Sequence, residues 1–179
     1  IGNLLEILEA LDILQGKGRT DITEFVCELA QIMLDLANVQ KTIPEIREHL
    51  TNGAALKKFE EMIQAQGGDV EDLYRPSKAA SVAEVTATQA GYITELPAME
   101  FGLFAMRLGA GRAVKSDDLD YETGIVFEKK VGDKVEIGEV FAKIYSNEKI
   151  SQELVTEFQK NVKIGNESVA VSEIIEVIS

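Results

Sequence analysis

The chain has 179 residues, 45% of them hydrophobic, enough to bury a core in one domain or two small ones. Its 31 acidic residues against 18 basic ones give a formal charge of -13, the wrong sign for nucleic-acid binding through phosphates. The single cysteine, Cys27, excludes a disulfide framework within the chain, and no apolar run is long enough to cross a membrane. No signal-peptide pattern opens the chain, and a start at Ile1 instead of Met reads as an excised piece. A reducing cytoplasm suits this cysteine usage.

Asn3 and Glu6 have capping-box spacing, which predicts a helix from there to about residue 14. Projected at about 100° per residue, Ile1, Leu4, Leu5, Leu8 and Leu11 fill one arc of it. Asp12 projects into that arc and Glu9 sits on its margin. Gly16-Lys17-Gly18 breaks the helix. Asp21 and Glu24 form the next capping pair, ahead of a helix carrying Phe25, Val26, Leu29, Ile32, Met33 and Leu36 at helical spacing. Cys27 lies within it and is expected to be a buried, small apolar residue. Thr42 and Glu45 repeat the signal, with Pro44 tolerated in the first turn. A fourth helix is predicted over about residues 54–66, burying Leu56, Phe59, Met62 and Ile63 and stopping at Gly67-Gly68.

Residues 69–81, polar and containing Arg75-Pro76-Ser77, mark a boundary. Beyond it, residues 82–87 and 92–96 read as short strands. Residues 98–108 read as a helix with Met99, Leu103, Phe104, Met106 and Leu108 on it, ending in Gly109-Ala110-Gly111-Arg112. The stretch 124–146 reads as a hairpin: two β-segments joined by the turn Val131-Gly132-Asp133-Lys134, with a second corner at Gly138-Glu139. A helix over residues 151–160 and strands over 162–164 and 169–178 close the chain. The expected fold class is α+β, an N-terminal helical segment (1–72) and a linker (73–86) followed by a C-terminal α/β-hammerhead or barrel-sandwich-like β domain (87–179).

Each candidate for chemistry has a structural reading beside it. Gly109-Ala110-Gly111-Arg112 lacks the strand before and the helix after that a phosphate cradle needs, so it reads as a helix end. Lipoyl and biotinyl carriers display a modified lysine in a hairpin turn between Asp or Met neighbours. Lys134 follows Gly132-Asp133 and Lys149 follows Ser146-Asn147-Glu148, so neither is flanked that way on both sides, and Ala98-Met99-Glu100 carries Glu where a biotinyl motif has Lys. A non-enzymatic carrier or protein-interaction module is therefore the second reading. His49, the sole histidine, reads as a surface or interhelix residue, with a small His49-dependent enzyme as a third reading. Asp117-Asp118 and Glu60-Glu61 read as solvated faces, and Tyr121 and Tyr145 as packing residues. No His/Cys cluster points to zinc. Glu9, edging an apolar arc, is the one carboxylate singled out as a ligand for a hard cation.

Several segments together resemble the pyrimidine-nucleoside phosphorylases, a family that includes thymidine phosphorylase. They are Ile1-Gly2-Asn3-Leu4-Leu5-Glu6-Ile7-Leu8-Glu9-Ala10, residues 59–68, Leu108-Gly109-Ala110-Gly111-Arg112, and Gly124-Ile125 with Lys129-Lys130-Val131-Gly132-Asp133-Lys134-Val135. The resemblance covers the whole chain, and its most specific part is the pairing of the Gly-Ala-Gly-Arg helix end with the Lys-Lys-Val-Gly-Asp-Lys-Val turn. Asp12 leans toward the members with broad pyrimidine specificity.

The resemblance implies reversible phosphorolysis of a pyrimidine nucleoside to the base and (deoxy)ribose 1-phosphate by a homodimeric enzyme. It implies an all-α lobe and a large α/β lobe, with the helices of this chain behind the nucleoside-binding sheet and the hairpin domain bracing it. The family's phosphate and nucleoside motifs have no match between Ile1 and Ser179. No catalytic, phosphate-binding or nucleoside-binding residue therefore carries over. One metal ligand does: Glu9, for a monovalent, potassium-like cation shared with backbone oxygens upstream of Ile1. No organic cofactor is implied. The chain is then expected to be a C-terminal portion, inactive alone, whose partner is the missing N-terminal half and which leaves an apolar patch uncovered.

Overall fold

A computed structural model describes residues 1–171. Four helices occupy the first sixty-five residues, as the capping and periodicity signals predict: α1 (Asn3–Leu14), α2 (Thr20–Leu36), α3 (Ile43–Thr51) and α4 (Ala54–Ala65). A short α5 (Val70–Leu73) follows, capped by Asp69, whose side chain accepts from the Glu71 N–H at 2.9 Å. Then come β1 (Ser81–Thr86), β2 (Gly91–Glu95), α6 (Ala98–Ala105), a π-helical turn over Met106–Ala110, β3 (Gly124–Phe127), β4 (Lys134–Val135), β5 (Val140–Ser146), α7 (Gln152–Lys160) and β6 (Lys163–Gly165). The chain is thus α+β. Residues 169–171 form no strand, and the rest of the strand expected over 169–178 lies outside the described residues. Two units emerge, Ile7–Pro76, and Ile1–Glu6 together with the chain from Ser77 on; α1 straddles the division. β1 occupies the end of the stretch expected as a linker.

Only one of the three capping pairs forms. Thr42 and Glu45 make the full box, with Thr42 N–H and Oγ1–H donating to Glu45 Oε2 at 2.8 and 2.9 Å and the Glu45 N–H donating back at 3.4 Å. At α2 the N-cap is Arg19, with no side-chain cap, and Asp21 sits in the first turn paired with Arg19. At α1 the Glu6 carboxylate accepts from the Gly2 N–H, while Asn3 Nδ2 donates to the Ala110 carbonyl, 107 residues away. A distant acceptor has taken the Asn3 side chain from its local role, which the spacing of Asn3 and Glu6 does not reveal.

The helical unit has a thin core. Ile13, Cys27 and Leu50 are buried, with Leu14, Ile22, Ile43, Ile46 and Ala55 packed partly buried around them. Cys27 is 1% exposed, as expected. The predicted burial of α4 is incomplete: Leu56, Phe59 and Ile63 are partly buried and Met62 is exposed. On α2 Val26, Leu29, Ile32, Met33 and Leu36 are all exposed, the last two at 70% and 81%. They share an arc of about 120° on a helix projection, away from the stripe that holds Cys27.

The second unit is closed. Two antiparallel three-stranded sheets, β1-β5-β3 and β4-β2-β6, share one core with α6 and α7. The stretch 124–146 is not a hairpin closed at Val131-Gly132-Asp133-Lys134. β3 pairs with β5, with Ile125 opposite Ile144, and the intervening β4 leaves that sheet to pair with β2. The corners do fall at the predicted glycines, Gly132 and Gly138 having φ of 93° and 82°. Each corner is tied to a neighbouring strand: Gly132 N–H donates to the Ile93 carbonyl and Gly138 N–H to that of Ala87, both at 2.8 Å. The turns redirect the chain from one sheet to the other, so an alternation pattern that fits a hairpin serves two sheets instead.

Five phenylalanines fill the centre. Phe158 of α7 is fully buried, with ring centroids 4.7 Å from Phe101, 5.2 Å from Phe104, 5.9 Å from Phe127 and 6.3 Å from Phe141. On α6 the inward residues are Phe101, Phe104 and Ala105, while Met99 and Leu103 are exposed.

Two measurements check these packing and capping arguments. Phe158→Ala should cost about 3–5 kcal/mol in chemical denaturation, since it opens a cavity where four rings meet, whereas Met99→Ala should be near neutral. The capping box, led by the Thr42 backbone N–H and then its hydroxyl, holds the Glu45 carboxyl down at about 2. A depressed carboxyl stabilises the fold above its ordinary value of 4.5 and loses that contribution as pH falls toward about 2. Thr42→Ala, which removes the hydroxyl but keeps the backbone bond, should move the NMR-detected Glu45 midpoint part of the way up.

Candidate functional site

A cavity of about 590 Å³ in the second unit is walled by the ends of β1, β2 and α7 and by β6. Thr86, Thr88, Gln89, Thr94, Thr156, Gln159, Lys160 and Lys163 supply its polar lining. Half of those groups are engaged with the main chain, Thr156 Oγ1 donating to the Gln152 carbonyl at 2.9 Å. Gln159 Nε2 donates to the Thr86 carbonyl at 2.8 Å, Gln89 Nε2 to Ile164 at 2.7 Å, and Thr94 Oγ1 to Lys163 at 3.2 Å. Lys163 is paired with Glu95. Donors committed to carbonyls close the end of the sheet, and among the described residues the lining holds no Asp, Glu, His or Cys to act as base or nucleophile.

The sequence candidates are dispersed. Glu9 is exposed on α1. Helical carbonyls around it are spent on helix hydrogen bonds, and among the described residues no group of three or more His, Cys, Asp or Glu assembles to hold a metal. A hard cation gathers about six to eight oxygens, and the described residues do not by themselves assemble such a set around Glu9. Asp12, expected within the apolar arc of α1, is exposed. His49 is exposed in the last turn of α3.

Lys134 is not at a hairpin tip. It opens β4, with its ammonium 2.8 Å from Glu136, and that hydrogen bond raises its pKa. Lys149 lies in the exposed connection between β5 and α7. Neither is presented as a carrier lysine would be.

Gly109-Ala110-Gly111-Arg112 follows a helix and a π-helical turn, as a helix end should, and Arg112 Nε donates to the Asp117 carbonyl at 2.9 Å. Asp117 Oδ2 accepts from the N–H groups of Ala113 and Val114, both at 3.0 Å, and so shapes the loop. Glu60 accepts from Tyr74, and Glu61 pairs with Lys58, which lowers its pKa. Tyr121, expected to pack, is 61% exposed.

The residue that organises this loop was not singled out by pattern. Asp120 Oδ1 accepts from Glu122 N–H and Asn147 Nδ2, each at 3.0 Å, and Oδ2 from the buried Thr123 hydroxyl at 2.7 Å. Glu122 in turn accepts from Ser77 Oγ and Lys78 N–H, both at 2.7 Å. The local signal was present, since an Asp two residues before an N–H donor is an Asx-turn spacing. Its long-range partner Asn147, and the partners Ser77 and Lys78 of the neighbouring Glu122, leave no trace in local pattern.

Comparison with known proteins places this geometry. Residues 92–165 match the family described as pyrimidine nucleoside phosphorylase C-terminal domain. The chain is 42% identical over 177 residues to a pyrimidine-nucleoside phosphorylase of Bacillus subtilis (strain 168), an alignment that takes in 95% of this chain and 41% of that protein. It is 40% identical over 186 residues to a pyrimidine-nucleoside phosphorylase of Staphylococcus aureus (strain USA300), with 100% of this chain and 43% of that protein aligned. The chain therefore spans about two fifths of the length of the curated relatives it matches, and the aligned part is their C-terminal portion. With no carrier lysine displayed and this likeness end to end, the chain belongs to the pyrimidine-nucleoside phosphorylase family as its C-terminal portion.

Proposed function

We propose that this chain is the C-terminal portion of a pentosyltransferase that splits a pyrimidine nucleoside with phosphate into the free base and (deoxy)ribose 1-phosphate. The observation that carries the proposal is identity of about 40% along the whole chain to enzymes bearing that name. In such a reaction the gain over water comes from donors positioned around the phosphate and the leaving base. This chain brings no such set together, so its share of the work is structural. The helical segment (1–72) belongs to the nucleoside-binding lobe. The linker region leads to a C-terminal domain (87–179) of the α/β-hammerhead or barrel-sandwich-like kind, with β1 built into its sheet. Two three-stranded sheets around one aromatic core support that reading.

The complete enzyme is proposed to be a cytoplasmic homodimer without an organic cofactor. Glu9 would supply one carboxylate to a potassium-like cation whose other oxygens come from the N-terminal part. No described helix is long and apolar enough to cross a membrane.

The exposed arc of α2 is accounted for by the same proposal. A helix with apolar residues on two sides belongs between two layers, and the helical unit supplies one layer to it. The missing N-terminal part is its proposed cover.

Full-length protein given uridine or thymidine with phosphate should release the base and a pentose 1-phosphate. The 179-residue chain alone should release none; measurable uracil from that chain would overturn its assignment as structural. Light scattering of the chain alone should show concentration-dependent association, reduced by Met33→Glu with Leu36→Glu, because charges on an exposed arc oppose its burial.

A further inference from the structure

Ile1 and Gly2 lie along β3 as the beginning of a strand. Ile125 N–H donates to the Ile1 carbonyl at 2.7 Å, and the Ile1 nitrogen donates to the Ile125 carbonyl at 2.8 Å. Gly2 forms an antiparallel bridge with Gly124. The approach is close enough to require glycine, since a Cβ on Gly124 would lie 2.3 Å from the Ile1 carbonyl oxygen. Leu4 N–H adds a bond to the Tyr121 carbonyl at 3.1 Å. These contacts group Ile1–Glu6 with the chain from Ser77 on.

An antiparallel strand turns alternate residues to opposite edges. β3 faces β5 through Gly124 and Val126 and faces Ile1 through Ile125, so the N–H and C=O of Phe127 point to the same edge as those of Ile125. Among the described residues no main-chain group bonds Phe127 from that edge. With Ile1 opposite Ile125, the residue two before Ile1 falls opposite Phe127.

We propose that the polypeptide immediately ahead of Ile1 in the complete protein continues this strand, so that the N-terminal part is joined to the C-terminal domain by β-augmentation on the free edge of β3. The proposal rests on the reading of the chain as the C-terminal portion of a longer protein. Its occupant is that protein's own upstream segment, because Ile1 already sits in register and the relatives extend well beyond the aligned region. A sheet edge bonds main chain to main chain, so this junction is indifferent to most upstream side chains, proline excepted. Two residues upstream the strand reaches Phe127, whose ring packs edge-on against Phe101 at 5.1 Å, so the junction borders directly on the aromatic core.

Amide hydrogen exchange read by NMR tests it. Phe127 should exchange at least tenfold more slowly in the full-length protein than in the 179-residue chain, while Ile125 is protected in both. Proline placed two residues before Ile1 in the full-length protein, where the N–H would face β3, should return Phe127 to the faster rate. Proline directly before Ile1, where the N–H faces away, should leave the slowing intact. Equal Phe127 rates in the two lengths, slowing that survives the first proline, or loss of slowing with both prolines would each overturn the proposal. Base release from uridine by the same full-length sample separates the two ideas: an active enzyme with unprotected Phe127 removes only the strand junction, and a protected but inactive one removes only the activity.

Discussion

Burial of one ring, Phe158, is the constraint on which the C-terminal unit depends. Two small sheets have few ladder bonds between them, and β4 and β6 are only two and three residues long. Sheets so short need a common apolar body to pack on. Phe158 provides it from α7, meeting rings from α6, β3 and β5 at once. Such contacts carry value beyond buried area because edge-to-face and tilted rings align their quadrupoles. The amphipathic α7 then acts as a plug: Ser151 caps its start by accepting from Leu154 N–H, and Val155 and Phe158 are its buried residues. Because both sheets pack on one shared aromatic core, the chain can pass from sheet to sheet at the corners without opening it.

The helical unit follows the opposite rule. Its core of three buried residues is small for four helices, and burial scales with how many layers surround an element. Helix propensity and one good capping box hold α3 locally, but local terms amount to a fraction of what tertiary packing provides. A second apolar arc on α2 is therefore a structural demand for another layer. The two units differ in completeness because one closes around its own aromatic cluster and the other leaves an apolar arc of α2 exposed.

Legibility in the sequence follows the range of each interaction. Helices α1 to α4 and strands β1, β2 and β6 were readable because periodicity and glycine corners are local. Thr42 with Glu45 was readable for the same reason. Asn3 with Glu6 had the same spacing and a different outcome, since Ala110 competes for the Asn3 side chain. The hairpin reading of 124–146 failed because alternation specifies a face and not a partner strand. Met62 was expected to be buried and is exposed, because periodicity finds an apolar face without saying whether anything covers it. The candidate site was legible mainly as an absence of motif, and Asp120 escaped notice because three of the residues around it lie far away in sequence.

The distribution of polar groups argues for the structural role from a direction independent of resemblance. Catalytic sites keep donors and acceptors free for a ligand and shift titrating groups by burial. Here the groups with lowered or raised pKa, such as the exposed Glu45 and the half-buried Glu139 and Lys143, owe their shifts to hydrogen-bonded neighbours within this chain. Among the described residues, no buried side-chain nitrogen or oxygen lacks a hydrogen-bond partner. Thr123, fully buried, spends its hydroxyl on Asp120, and the Ser146 hydroxyl accepts from Glu148 N–H. Every such bond fixes loop to strand within this chain, leaving the molecule's means of recognition in its main-chain edge and its uncovered apolar arc. Both present the kind of surface that another part of a polypeptide fills, and neither presents what a small substrate needs.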